Sequence, residues 1–205
     1  MRIFGKITKK LRGKCVLDST IYKNVSISSG CCVYHSVVKS YSYFGYDCIV
    51  VNCEIGKFCS IADNVFIGGA NHPLHWVSTS PVFLSGKNAL RKNFSSHDFY
   101  PYSKTVIGND VWIGFNAIIK SGIVVGDGAV IGMGSVVTKN IPPYEIWAGN
   151  PARKIKDRFP PAIKERLIKS EWWNFDDRKL KEYAKLFDDP IAFLDKVDKT
   201  TDYNE

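Results

Sequence analysis

The sequence predicts an all-β solenoid: a parallel β-helix of six-residue repeats that carries one inserted loop and ends in α-helices. Three observations predict it. From Ile107 an aliphatic residue recurs every six positions, through Ile113, Ile119, Val125, Ile131 and Val137. The period breaks between Gly68 and about Lys104, then resumes. It stops after Asn150, and Pro160-Pro161 then opens a helical pattern.

The residue after each aliphatic is often glycine, at Gly108, Gly114, Gly126 and Gly132. Four residues after it stands a small or β-branched residue: Val111, Ala117, Ala129, Ser135. A period of six fits neither a helix bundle nor a hairpin sheet. It fits short strands closed by turns, three of which make a triangular coil of about eighteen residues. Stacked coils pair strand on strand at about 4.8 Å. The aliphatic residues then point inward and the small ones fill the corners. The period also runs earlier, through Ile21, Ile27 and Val33, and again through Val37, Tyr43, Ile49, Ile55, Ile61 and Ile67, four residues out of phase. IGKFCS and IADNVF fit the pattern well, whereas YSYFGY and IVVNCE fit it poorly.

The interruption reads GGANHPLHWVSTSPVFLSGKNALRKNFSSHDFYPYSK. It is far longer than an ordinary loop, and long loops on rigid scaffolds commonly carry function. After the repeats, PAIKERLIKS reads as a helix with proline in its first turn, and Asp176 as the N-cap of a second over DRKLKEYAKLF. A third short helix is expected over residues 190–197. These pieces are expected to dock across an open end of the solenoid or against a neighbouring subunit. The boundaries are therefore residues 1–14 for a basic N-terminal arm, 15–155 for the β-helix with its loop 69–104, and 156–205 for a helical extension.

Composition sets the outer limits. The 205 residues are 45% hydrophobic and 23% charged, as in globular domains, and no apolar run approaches the roughly 20 residues of a spanning helix. The start has no block of signal-peptide character, so the chain is expected to be cytoplasmic. The six cysteines, with no CxxC pair, read as reduced small hydrophobes rather than as disulfides or a metal site. The net charge is +8, with six basic and no acidic residues over 1–14 and eleven basic against six acidic over 153–185. That suits either a soluble surface or an anionic ligand. Ile3, Phe4, Ile7 and Leu11 give the arm an amphipathic pattern, fit to pack on the base of the solenoid or to lie on an anionic membrane face. The glycines of GIVVGDGAVIGMGS follow the repeat and lack both common phosphate-loop spacings.

Four histidines are available for acid–base work: His35, His72, His75 and His97. Imidazole suits such work because its ordinary pKa of about 6.5 lies near neutral pH. HPLH could suggest two metal ligands, but no motif supplies a third, so no metal is expected.

The coils, GGANHP, IGNDVWIG, IPPYEIWAGNPARKI and WWNF together resemble the xenobiotic acetyltransferase branch of the left-handed β-helix acyltransferases, over roughly residues 50–187. That branch includes chloramphenicol and streptogramin acetyltransferases and many sugar O-acetyltransferases of surface-polysaccharide pathways. HWVSTSPVF resembles the polysaccharide-directed members more. The resemblance implies left-handed winding and a homotrimer with active sites between subunits. It also implies acetyl-CoA as donor, with no metal and no nucleic acid. It makes His72 the general base, and places Asn71, His75 and Trp76 around the acceptor. Thr138 and Lys139 match positions that contact the nucleotide, Arg153 matches a basic residue near the phosphates, and Lys156 follows one turn on as a further cofactor-binding candidate. Phe115 and Met133 match positions along the pantetheine arm, with Trp112 beside that groove; for Trp112 and Phe115, packing between trimer neighbours is an equal reading. The first third of the chain departs from the family, its coils being irregular and rich in Cys and Tyr.

The expected function is acetyl transfer from acetyl-CoA to a hydroxyl of a sugar or surface-glycan precursor. The alternatives are O-acetylation of an antibiotic, N-acetylation of a nucleotide-linked amino sugar, and a non-enzymatic structural solenoid.

Overall fold

A computed structural model describes residues 12–202, and the side chains up to Lys199. The expected N-terminal arm therefore lies almost wholly outside the described residues. Its last members are the first described residues, where Arg12 forms a double contact with the Asp47 carboxylate at 2.8 Å.

Six coils stack into three parallel sheets. The first sheet starts with the strand Cys15–Leu17, the second with Thr20–Ile21 and the third with Ser26–Ile27. Strand pairing aligns the inward residues into three columns. The first sheet's column is Val16, Val33, Val50, Ile67, Ile119 and Val137. The second is Ile21, Val38, Ile55, Ile107, Val125 and Ile141. The third is Ile27, Phe44, Ile61, Ile113, Ile131 and Trp147. From Val33 to Val137 every first-sheet member is buried, as are Val38 to Ile141 and Phe44 to Ile131 in the others. This continuous apolar axis drives the fold; truncating one member to Ala typically costs about 2–5 kcal/mol.

The columns correct the phase read from the early repeats. Val37, Tyr43 and Ile49 do not point inward; Tyr43 is 49% and Ile49 38% exposed, and Val38, Phe44 and Val50 take the core positions. The cause is one short corner. Between first and second sheets the early coils step five residues, as from Val33 to Val38 and from Val50 to Ile55. Cys15, Cys32, Ile49 and Phe66 stack in register, so these coils hold 17 residues. The fifth steps six, from Ile119 to Val125, and Ile118 to Val136 is 18.

Cysteines and hydroxyls share the small corner positions. Cys31, Cys48, Cys53 and Cys59 are buried free thiols, whereas Cys15 is exposed and Cys32 half-buried. Burial pushes the Cys53 and Cys59 thiols up to about 12. The hydroxyls of Ser36 and Ser42 accept from the amides of Cys53 (3.0 Å) and Cys59 (2.9 Å) in the next coil, satisfying corner N–H groups that water cannot reach.

After the sixth coil the strand Glu145–Gly149 pairs antiparallel with Ala152–Asp157. Three helices follow: α1 (Pro161–Ser170), α2 (Asp177–Tyr183, its first turn capped by Asp176 through the Lys179 amide) and α3 (Pro190–Asp202). The helices do not cap an open end of the solenoid. They pack along the corner between second and third sheets of their own chain. Tyr41 stacks on Phe58 at 4.9 Å, and Phe58 meets Trp172 at 5.0 Å. Lys57 Nζ donates to the Trp173 carbonyl at 3.1 Å, and Arg158 to Asp110 and the Gly128 carbonyl at 3.1 and 2.6 Å. No helix among the described residues is long and apolar enough to cross a membrane.

Candidate active site

The insert leaves the fourth coil after the strand Phe66–Gly68 and returns at Thr105–Ile107, so it projects from the corner between first and second sheets. Its roots are tied together. The Asn71 amide donates to the Pro101 carbonyl at 2.7 Å, and Asn71 Nδ2 reaches Ser103 Oγ at 3.4 Å. Lys104 Nζ holds Glu54 Oε2 at 2.7 Å from one side while Lys39 holds Oε1 at 2.8 Å from the other. The two cations keep the Glu54 carboxyl down at about 2.

His72 stands just beyond the first root, with an exposed ring. Its Nδ1 lies 2.8 Å from the carbonyl oxygen of Thr79. A carbonyl can only accept, so this bond requires the hydrogen on Nδ1, and in the neutral ring it leaves the Nε2 lone pair free. A neutral imidazole held in one tautomer, with its free nitrogen turned from its own chain's carbonyl, can take a proton from a neighbouring hydroxyl.

His75 and Trp76 line a cavity of about 500 Å³ within the insert, with Val77, Ser78, Phe83 and His97. Trp76 packs edge-on against His97, with ring centroids 5.6 Å apart. Asn71, His72, His75 and Trp76 thus belong to one region. Thr138 and Lys139 lie further along the same corner, in the sixth coil, exposed. Phe115 and Met133 lie one above the other at the opposite corner of the first sheet, 47% and 77% exposed, and Trp112 faces outward from the third sheet. Arg153 and Lys156 sit exposed on the antiparallel strand Ala152–Asp157. A single chain therefore does not bring the expected site residues into one cleft. Among the described residues Lys139, Arg153 and Lys156 form no ion pair, whereas Lys154 is held by Glu145 at 2.8 Å and Asp157 at 2.7 Å. No cluster of three or more potential metal ligands occurs among the described residues.

A second cavity, about 600 Å³, lies beneath the roots and was not anticipated from the sequence. Tyr34, His35, Asn52, Phe66, Tyr100 and Tyr102 contribute to it. The available signal was the poor fit of the early coils to six, since the short corner carries His35 and Asn52.

Residues 104–139 match the family described as bacterial transferase hexapeptide (six repeats). The chain is 40% identical over 170 residues to a probable macrolide acetyltransferase of Lysinibacillus sphaericus, covering 81% of this chain and 91% of that protein. The chain belongs to the hexapeptide-repeat acetyltransferases. Its solenoid is the left-handed parallel β-helix of that family. A chloramphenicol acetyltransferase of Klebsiella aerogenes is 45% identical over 132 residues, 62% of this chain; the chain spans 61% of that relative's length. Galactoside O-acetyltransferase of Escherichia coli K12 is 40% identical over 103 residues, 50% of this chain and 43% of that protein. Among solved structures, AntD, an N-acyltransferase from Bacillus cereus, superposes with a TM-score of 0.53 at 21% identity, covering 83% of this chain and 96% of that one, which bears on the fold. These likenesses support the antibiotic-directed alternative better than the polysaccharide-directed reading. The antibiotic acetyltransferases match over more of this hexapeptide-repeat acetyltransferase than the sugar enzyme does.

Proposed function

We propose that the protein transfers an acetyl group from acetyl-CoA to a hydroxyl of an antibiotic-like acceptor, with His72 as general base. The observation that carries the reading is the Nδ1 contact of His72 with the Thr79 carbonyl, which leaves Nε2 able to accept. Acetyl-CoA supplies an acyl group activated as a thioester. His72 Nε2 takes the acceptor's hydroxyl proton as the oxygen bonds to the acyl carbon; the carbon–sulfur bond breaks, and the proton passes to the departing thiolate. Trp76 and Phe83 offer ring faces to an acceptor with apolar surface. That lining and the breadth of similarity to antibiotic acetyltransferases favour such an acceptor over a plain sugar.

The unpaired cations Lys139, Arg153 and Lys156 suit the phosphates of CoA, with Thr138 beside them. Phe115, Met133 and Trp112 then belong to the same groove through a neighbouring copy. The first sheet exposes Leu17, Ile49 and Ile118, whereas the second carries the Lys39–Glu54–Lys104 cluster. Three copies that turn the first sheet toward a common axis would set the Lys139 corner of one against the Phe115–Met133 corner of the next.

The test is release of CoA thiol from purified protein with acetyl-CoA and chloramphenicol, virginiamycin A, a macrolide or an alkyl galactoside. Turnover should be fastest with an antibiotic and the product an ester. Absence of thiol release with every hydroxyl acceptor would sink the reading, and a monomer by light scattering at micromolar concentration would sink the shared groove.

A further inference from the structure

We propose that the tip of the insert, residues 85–96, docks on the surface of an anionic lipid bilayer, with Leu90 and Phe94 entering the interface and Lys87, Arg91 and Lys92 meeting the headgroups.

The tip is a closed excursion. Leu84 and His97 form a bridge, and the Ser85 amide donates to the His97 carbonyl at 2.8 Å, so the residues between them leave and return through one neck. Side-chain amides hold the loop from within. Asn88 Oδ1 accepts from the Leu90 amide at 2.9 Å, and Asn88 Nδ2 donates to the Lys92 carbonyl at 3.1 Å. Asn93 Nδ2 donates to the Gly86 carbonyl at 3.2 Å and also to the Leu84 carbonyl. The Phe94 amide donates to the Val82 carbonyl at 2.7 Å, and Ser95 Oγ to the Phe83 carbonyl at 2.8 Å.

The large apolar side chains are left outside this frame. Leu90 is 65% and Phe94 67% exposed. One exposed leucine needs no explanation. A loop whose asparagines serve its backbone while its leucine and phenylalanine stand in water is a different matter, because nothing in its own fold uses those two side chains. Such a surface is built for an apolar partner.

Charge selects that partner. Residues 85–96 carry Lys87, Arg91 and Lys92 and no acidic residue. None of these three cations forms an ion pair among the described residues. Lys92 Nζ lies 4.9 Å from the centroid of the Phe94 ring, so a cation and an apolar ring occupy the same spot. Apolar side chains set among unpaired cations match the two layers of a bilayer surface, the acyl boundary and the phosphate headgroups. A second copy of this chain fits less well, because each copy carries a net charge of +8. A nucleic acid would meet the cations and leave Leu90 in water.

The experiment is co-sedimentation of the full-length protein with vesicles of phosphatidylcholine alone and of phosphatidylcholine mixed with phosphatidylglycerol. Binding should be about tenfold or more stronger to the mixed vesicles and should weaken as salt is raised. Leu90→Ser should weaken it by about fivefold or more, and Arg91→Gln combined with Lys92→Gln by about tenfold or more. Leu90→Trp should strengthen it by about threefold, because indole favours the membrane–water interface, and a misfolded protein would not give that gain. Failure of the wild type to bind the mixed vesicles overturns the proposal, as does equal binding to both kinds of vesicle. Binding that none of the variants alters overturns it too and would move the attachment to another basic segment, such as residues 1–14. A change of oligomeric state in Leu90→Ser by light scattering would show that a second copy covers the tip, and would equally overturn it. Binding is read without turnover, so the result stands apart from the acetyl-transfer reading above.

Discussion

In the first three coils the chain passes from first to second sheet in five residues and sets Asp18, His35 and Asn52 at the corner with positive φ; in the fifth it takes six and sets Gly122 there. The early corner lends side chains to its surroundings. The later one is bare, and the returning root uses the space. A Cβ on Gly122 would lie 3.0 Å from the Cβ of Ser103, while Ser121 Oγ donates to the Ser103 carbonyl at 2.9 Å. One edge of the same solenoid is thus a side-chain shelf below the insert and a smooth track above it. The proposed function puts the acceptor at the insert and the donor cofactor along the later stretch.

The assignment breaks first at the residue between them. His72→Ala should lower kcat by roughly 10²–10⁴-fold, about 3–5 kcal/mol of barrier, with CoA binding retained in titration. Near-normal turnover would move the base elsewhere and favour an amine acceptor that attacks unaided. Next comes the boundary of shelf and insert. Gly68 has φ +89°, and a Cβ there would run into the Val51 carbonyl. Gly68→Ala should cost roughly 3 kcal/mol in denaturant unfolding, because both strain and a backbone clash oppose it. A loss below about 1 kcal/mol would mean that the corner yields easily. Along the smooth track, Lys139→Ala should raise the acetyl-CoA KM by about tenfold or more, the typical 1.5–3 kcal/mol of a charge-assisted contact, with melting temperature unchanged. An unaltered KM would detach the nucleotide from this corner.

The smallest effect concerns the Glu54 clip between shelf and returning root. Its folded carboxyl lies at about 2, below the ordinary value of 4.5, so its stabilisation is present above about pH 4.5 and is lost as pH falls toward 2. The pair is partly solvated, which limits the benefit to roughly 0.5–1 kcal/mol. Glu54→Gln should lower the melting temperature slightly at pH 7 and not at pH 2; an equal difference at both would show that the charge is irrelevant.

The later coils were legible in the sequence because their corners hold six-residue steps, so Ile107 to Val137 read directly as inward positions. The early coils slipped by one at each short corner, which turned Val37, Tyr43 and Ile49 outward and put Val38, Phe44 and Val50 inside. A one-residue slip reverses every face in a strand, and period counting alone does not locate it. At the site, His72 stood out through its motif. Its orienting partner did not, because a backbone carbonyl at Thr79 has no residue-type signature. Nor did the cavity beneath the roots, which joins Tyr34 and Asn52 to Tyr100 and Tyr102 across the whole insert.

A column of coils that each touch only their neighbours is a one-dimensional crystal and would ordinarily melt from its ends. Here the tail runs along one corner and grips Tyr41 in the second coil, Phe58 in the third, Asp110 in the fourth, Gly128 in the fifth and Tyr144 in the sixth. Peeling away a terminal coil then requires breaking contacts that span most of the stack. The spine converts nearest-neighbour stability into a single all-or-none unit, so the corner that bears the insert keeps its register even where the repeat is least regular.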